Sequence, residues 1–237
     1  MIKQKIYSSL ILTLILTINY GQQTVNKFDE NGKRHGLWTK NYHKTDQKRY
    51  EGVFFHGKEI DTFKYYTLKN GKNVLSAIKV FNKKDSIAEV TFYTSSKKVI
   101  SKGYMKGRRY VNKWIFYHKN SNSKMIVEHY NDNGKLEGEQ TIYYKNGLIA
   151  ELTYYKNDKL HGECKWYSEK NKLLKVLNYN NGELNGQAIY YDALGNITSQ
   201  GNYKDDQKKG IWFYYKNEEL IKKIDHTNKK IIFKKFL

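Results

Sequence analysis

The sequence predicts an all-β protein: an elongated single-domain array of antiparallel β-hairpin repeats, about 24 residues per unit, behind an N-terminal leader. Three observations carry this. Gly138, Gly162, Gly186 and Gly210 fall 24 residues apart, and each opens a short run ending at Tyr143, Tyr167, Tyr191 and Tyr215. Looser copies begin at Gly36, Asp61 and Asn112, with a worn one near residues 90–93, so eight copies fill most of the 237 residues. Proline is absent, which suits strands that must all donate ladder hydrogen bonds. A fixed period of this size marks units that bury their apolar faces only against their neighbours.

The leader comes first. Residues 1–21 read as a secretory signal peptide: Lys3 and Lys5 precede an apolar run over residues 10–18, and Gln22 would follow cleavage. The run is shorter than the about 20 residues a membrane-spanning helix needs. The chain is therefore expected to be exported, to a bacterial periplasm, outer surface or medium, with no transmembrane span after cleavage. Residues 22–30 read as a loose lead-in and residues 31–237 as the repeat domain, with no linker or second domain.

Residues 181–204 illustrate one unit. Asn181-Gly182 is a turn signal, because both residues tolerate positive φ. Residues 187–191 then form a strand, residues 192–195 turn the chain, and residues 196–203 return. Asn70-Gly71, Asn133-Gly134 and Asn146-Gly147 mark turns elsewhere. Asp61 and Asn112 stand where other copies have glycine, which puts tight-turn geometry there in question.

Alternation along the strand assigns faces. Two residues past the glycine position stand Trp38, Phe63, Trp114, Cys164, Ala188 and Trp212. Four past it stand Tyr65, Phe116, Ile142, Trp166, Tyr190 and Tyr214, on the same apolar face. Lys64, Lys113, Glu163, Lys165 and Gln187 face the other way. So does the fifth position, which is tyrosine in six units: Tyr66, Tyr117, Tyr143, Tyr167, Tyr191 and Tyr215. This column is the candidate binding face. One reading is an exposed aromatic ladder flanked by lysines, suited to sugars, headgroups or a partner surface. The other is structural: the rings lie in register between hairpins and hydrogen-bond to the next unit, since a lone hairpin is marginal.

The ends depart from the middle, as terminal repeats must. The first copy has Lys40 and Asn41 in place of aromatics. Residues 231–237 form a strand-like tail expected to pair with the last hairpin.

The formal charge is +20, and losing Lys3 and Lys5 with the leader leaves +18. Such basicity points to anionic membranes, acidic polysaccharides, nucleic acids or an acidic protein. Export argues against nucleic acid. The basic residues are spread over every unit rather than blocked, as an A/T-rich coding sequence would also produce.

Catalytic signals are absent. Cys164, the sole cysteine, can form no internal disulfide and reads as core filler. His35 and His161 occupy one repeat position, just before the glycine, which reads as turn structure rather than as a ligand. The sequence lacks zinc-protease, paired-cysteine, calcium-loop and nucleophile-elbow patterns. Neither an enzyme nor a cofactor nor a metal is expected.

Asn133-Gly134-Lys135-Leu136-Glu137-Gly138 and Lys159-Leu160-His161-Gly162, each followed by aromatics, resemble MORN-variant repeats (membrane occupation and recognition nexus). The resemblance covers roughly residues 31–228 and is strongest over 132–215. It implies an extended, twisted array of hairpins. Bacterial relatives are described as antitoxin-like components of toxin–antitoxin systems, and other MORN proteins bind phospholipids or scaffold assemblies. Gly210-Ile211-Trp212-Phe213-Tyr214-Tyr215 is also similar to hairpin modules that hold choline or glucan in cell walls.

The expected function is a non-enzymatic exported scaffold that binds a protein partner or an anionic membrane or envelope polymer. A carbohydrate-binding module and an antitoxin-like inhibitor are the alternatives.

Overall fold

A computed structural model describes residues 25–82 and 85–235. The leader read at residues 1–21 lies outside the described residues. Those residues contain no helix and build a single 19-stranded antiparallel sheet whose strands follow chain order.

β1 (Lys27–Phe28) pairs with β2 (Arg34–Asn41), and β2 with β3 (Lys48–Phe55). The sheet thus begins inside the segment read as a lead-in. It continues through β4 (Lys58–Lys69), β5 (Lys72–Phe81), β6 (Ile87–Tyr93), β7 (Val99–Lys106), β8 (Arg109–Tyr117) and β9 (Lys124–Tyr130). Next come β10 (Gly138–Tyr143), β11 (Ile149–Lys156), β12 (Lys159–Leu160), β13 (Gly162–Tyr167) and β14 (Leu173–Asn180). β15 (Glu183–Tyr191), β16 (Ile197–Lys204), β17 (Gln207–Lys216), β18 (Glu219–Asp225) and β19 (Lys230–Lys234) complete it. β19 pairs with β18, so the tail does join the last hairpin.

Two kinds of turn alternate. His56-Gly57, Asn157-Asp158, Asn181-Gly182 and Asp205-Asp206 have positive φ at both central residues, the geometry that matches the twist of flanking strands. At the other end of the hairpins lie longer turns. The Gly147 N–H donates to the Tyr144 carbonyl and the Tyr144 N–H to the Leu148 carbonyl, both at 2.9 Å. The same bonding recurs at residues 168–172 and 192–196.

The glycine position has one backbone state whatever residue fills it. Gly36, Asp61, Asn112, Gly138, Gly162, Gly186 and Gly210 all have positive φ, between 55° and 111°. The ladder to the preceding strand breaks there: β16–β17 pairing steps from Gln200↔Phe213 to Asn202↔Lys209. The position is thus a left-handed residue within a strand rather than a turn, and Asp61 and Asn112 adopt it because short polar side chains tolerate that region. The worn copy differs. β5 and β6 pair without a register shift through Ala88, so that unit needs no such residue.

The core lies along the second position. Phe63, Trp114, Cys164, Ala188 and Trp212 are buried, as the alternation predicts, whereas Trp38 in the terminal unit is only half-buried. Facing positions on the neighbouring strand exchange volume with them. Gly52 faces Phe63, Gly103 faces Trp114 and Gly201 faces Trp212, whereas Leu177 pairs with the small Ala188. Each buried aromatic contributes roughly 1.5–3 kcal/mol relative to exposure. Where Gln140 takes the second position, the core is polar: its Nε2 donates to Glu128 Oε1 at 2.8 Å, and Tyr130 Oη donates to Glu128 Oε2 at 2.5 Å.

Candidate binding face

Each tyrosine of the column sits at a β-bulge. Register shifts fall at Tyr65/Tyr66, Phe116/Tyr117, Ile142/Tyr143, Trp166/Tyr167, Tyr190/Tyr191 and Tyr214/Tyr215. The extra residue lies on the return strand, as with Ala150 between Ile149 and Glu151. Such bulges raise the local twist and re-aim side chains. Repeated at the same place, they give the six tyrosines one common setting.

Tyr66, Tyr117, Tyr143, Tyr167, Tyr191 and Tyr215 are all half-buried, on the face opposite Trp114 and Trp212. Two have side-chain partners on the return strand of the preceding unit. Tyr66 Oη donates to Glu51 Oε1 at 2.6 Å, and Gln200 Nε2 donates to Tyr215 Oη at 3.0 Å. Burial, then the Glu51 carboxylate, push the Tyr66 hydroxyl up to about 12. Lys48, with the Tyr66 hydroxyl, in turn holds Glu51 below the usual carboxylate range.

The tyrosine carbonyls are tied as well. Tyr42 Oη donates to the Tyr66 carbonyl and Tyr144 Oη to the Tyr167 carbonyl, each at 2.7 Å. His118 Nε2 donates to the Tyr143 carbonyl at 3.0 Å. Units are thus linked from the sixth position of one to the fifth of the next. This link hides in the sequence because tyrosine and histidine serve it interchangeably.

Beside the tyrosines runs a row of cross-strand partners: Val127, Thr141, Leu152, Lys165, Val176 and Ile189. Val127, Thr141 and Val176 are buried. The sequence reading placed Lys64, Lys113, Glu163, Lys165 and Gln187 on this side. The structure adds to it, through the middle units, a strip that is aliphatic at Val127, Leu152, Val176 and Ile189 and interrupted by Thr141 and Lys165. Because Val127, Thr141 and Val176 are buried, what this face presents is the half-buried tyrosines and exposed lysines such as Lys64 and Lys113, not the row itself. Ion pairs among the described residues include Lys48 and Lys64 with Glu51, and Lys165 with Glu163. The formal net charge of the whole chain is +20.

A second aromatic column supports the core from the return strands. Phe54 and Tyr203 set their rings edge-on to Phe63 and Trp212, each with centroids 5.1 Å apart. Its signal was available: Tyr155, Tyr179 and Tyr203 each stand seven residues ahead of a unit glycine.

The chemistry-bearing residues fall elsewhere. Cys164 is fully buried, and that burial pushes its thiol up, away from the reactive thiolate. His35 lies within β2 and His161 between β12 and β13, so neither sits in a turn as the sequence suggests, and the Nδ1 of each is buried without a hydrogen-bond partner. The structure also brings together Asp29, His35 and His56, whose ligating atoms lie within 4.8 Å of one another. No sequence pattern announces this cluster, because its members come from a turn, a strand and a hairpin tip.

Three consecutive segments, residues 136–157, 160–181 and 184–205, match the MORN repeat variant family model. Their starts step by the 24-residue period, and each runs from a leucine (Leu136, Leu160 or Leu184) through one hairpin. No curated protein matches the chain. MORN repeats are generally protein- or membrane-binding modules, and all-β repeat arrays of this type are generally non-catalytic scaffolds.

Proposed function

We propose that the chain is an exported, non-enzymatic scaffold that binds an anionic envelope surface, or a protein of like character, across several units at once. The observation that carries this reading is the column of half-buried tyrosines beside exposed lysines such as Lys64 and Lys113, on a chain of net charge +20, or +18 once Lys3 and Lys5 leave with the leader. Six units offer a tyrosine of the column with lysines nearby. Near an anionic bilayer each lysine adds about 1 kcal/mol before screening. Several units engaged together gain avidity without any deep pocket. The sequence of residues 1–21 supports export.

Flotation with lipid vesicles tests it. Binding to vesicles containing anionic lipid, weakening as salt rises and absent from neutral vesicles, is the expected result. No binding to anionic vesicles at low salt would remove the membrane-surface version. Sugar binding that persists at high salt would favour a carbohydrate module instead.

A further inference from the structure

Among the described residues, the first unit holds a constellation that the other units lack. Asp29 opens the turn between β1 and β2. Its Oδ1 accepts the backbone N–H groups of Asn31 at 2.9 Å and Lys33 at 2.8 Å, which fixes the carboxylate. Its Oδ2 stays outside those bonds and lies 2.7 Å from His56 Nδ1. His56 is the first central residue of the β3–β4 turn, with φ 46°. His35 projects from β2, and its ring centroid lies 4.9 Å from that of His56. Its Nδ1 is the buried nitrogen without a partner.

We propose that Asp29, His35 and His56 form a binding site for a divalent transition metal of the zinc type. Two imidazoles and one carboxylate are a donor set for Zn²⁺, Co²⁺, Ni²⁺ or Cu²⁺. Metal–ligand bonds of about 2.0–2.2 Å in a tetrahedral site place ligand atoms roughly 3.3–3.5 Å apart. The donors already lie within 4.8 Å of one another, so side-chain rotation is enough to close the site. The ion replaces the hydrogen bond between His56 and Asp29, and water takes the fourth position. Calcium and magnesium do not suit it, since they need six or more oxygens and one carboxylate is on hand. Lys33 and Arg34 flank the site and further disfavour ions held by charge alone. The Arg34 guanidinium lies over the Trp38 and Phe54 rings, 5.1 Å from each centroid.

His161 supplies an internal control. It occupies the same repeat position and also has an unpartnered Nδ1. Yet Tyr155 stands where Asp29 stands, seven residues before the glycine, and Asn181 opens the turn that His56 opens in the first unit. The site is therefore a property of the terminal unit, where β1 contributes only two residues of pairing. A bound ion pins the first turn, β2 and the β3–β4 turn together, which caps an edge otherwise thinly covered.

Calorimetric titration of the full chain with Zn²⁺, and with Co²⁺ followed by visible absorption, tests the proposal. The expected result is one site per chain. Asp29→Asn, His35→Gln and His56→Gln each weaken it at least tenfold, while His161→Gln leaves it unchanged. Zn²⁺ raises the melting temperature of the wild type and of His161→Gln but not of His56→Gln, whose fold is checked by circular dichroism. Absence of saturable binding, or binding that survives all three substitutions, overturns the proposal.

Discussion

Gly201 and Trp212 share one volume: a Cβ at Gly201 would stand 2.4 Å from the Trp212 ring. Gly52 stands in the same relation to Phe63, at 2.5 Å, and Gly103 to Trp114, at 2.4 Å. The size of the second-position residue in one unit therefore sets the residue on the strand before it. Gly201→Ala should destabilise the fold by about 1–3 kcal/mol through overpacking, read as a lower urea midpoint. Gly201→Leu with Trp212→Ala reproduces the Leu177–Ala188 arrangement and should be more stable than Gly201→Leu alone. A double variant no better than that single would deny the exchange of volume.

The polar stretch of the core should behave as a coupled set. Glu128, Gln140 and Thr153 are buried, with Gln140 donating to Glu128 at 2.8 Å. Gln140→Ala leaves a carboxylate oxygen without its donor and should cost about 1–3 kcal/mol. A double-mutant cycle with Glu128→Ala should give a coupling of about 0.5–3 kcal/mol. Strict additivity would mean that the two side chains act separately.

Cys164 reports on the middle of the array. Its thiol is fully buried, and burial raises its pKa above the ordinary cysteine value. Alkylation by iodoacetamide should be very slow in native buffer and fast in denaturant. Rapid native labelling would place the thiol at the surface.

The last unit should lose stability in mild acid. Burial, then the nearby Lys208, hold the His226 pKa below its ordinary value, against an opposing pull from Asp225. Above pH about 6.5 both folded and unfolded chains carry the neutral ring, so the contribution is constant. Below it the unfolded chain binds a proton that the folded one resists, and stability falls. His226→Gln should flatten that fall between pH 6.5 and 5, roughly the window in which histidine titrates. An unchanged pH profile would remove His226 from the account.

The period and the second-position column made the fold legible, because one buried row dictates residue type at each step. Tyr155, Tyr179 and Tyr203 were equally periodic, but they lie on the return strand, where alternation is offset by the bulge at Ala150 and its counterparts. Asp61 and Asn112 looked like losses of a turn. They are conservative in backbone terms, since φ is 56° and 55° there. The setting of the tyrosine column was half legible. Alternation gave its face, but the aliphatic row beside it depends on cross-strand register, which no single strand encodes. The Asp29, His35 and His56 cluster was illegible for the same reason: three elements meet in space, not in sequence.

The tyrosine face should carry binding beyond charge. Partition of the full chain onto anionic vesicles, measured across a salt series, tests this most directly against a variant carrying Tyr143→Ala, Tyr167→Ala and Tyr191→Ala. The variant should keep its circular dichroism and its salt slope, because its charge is unchanged, yet bind at least tenfold more weakly at every salt concentration. Equal partition of a folded variant and the wild type would contradict a role for that face.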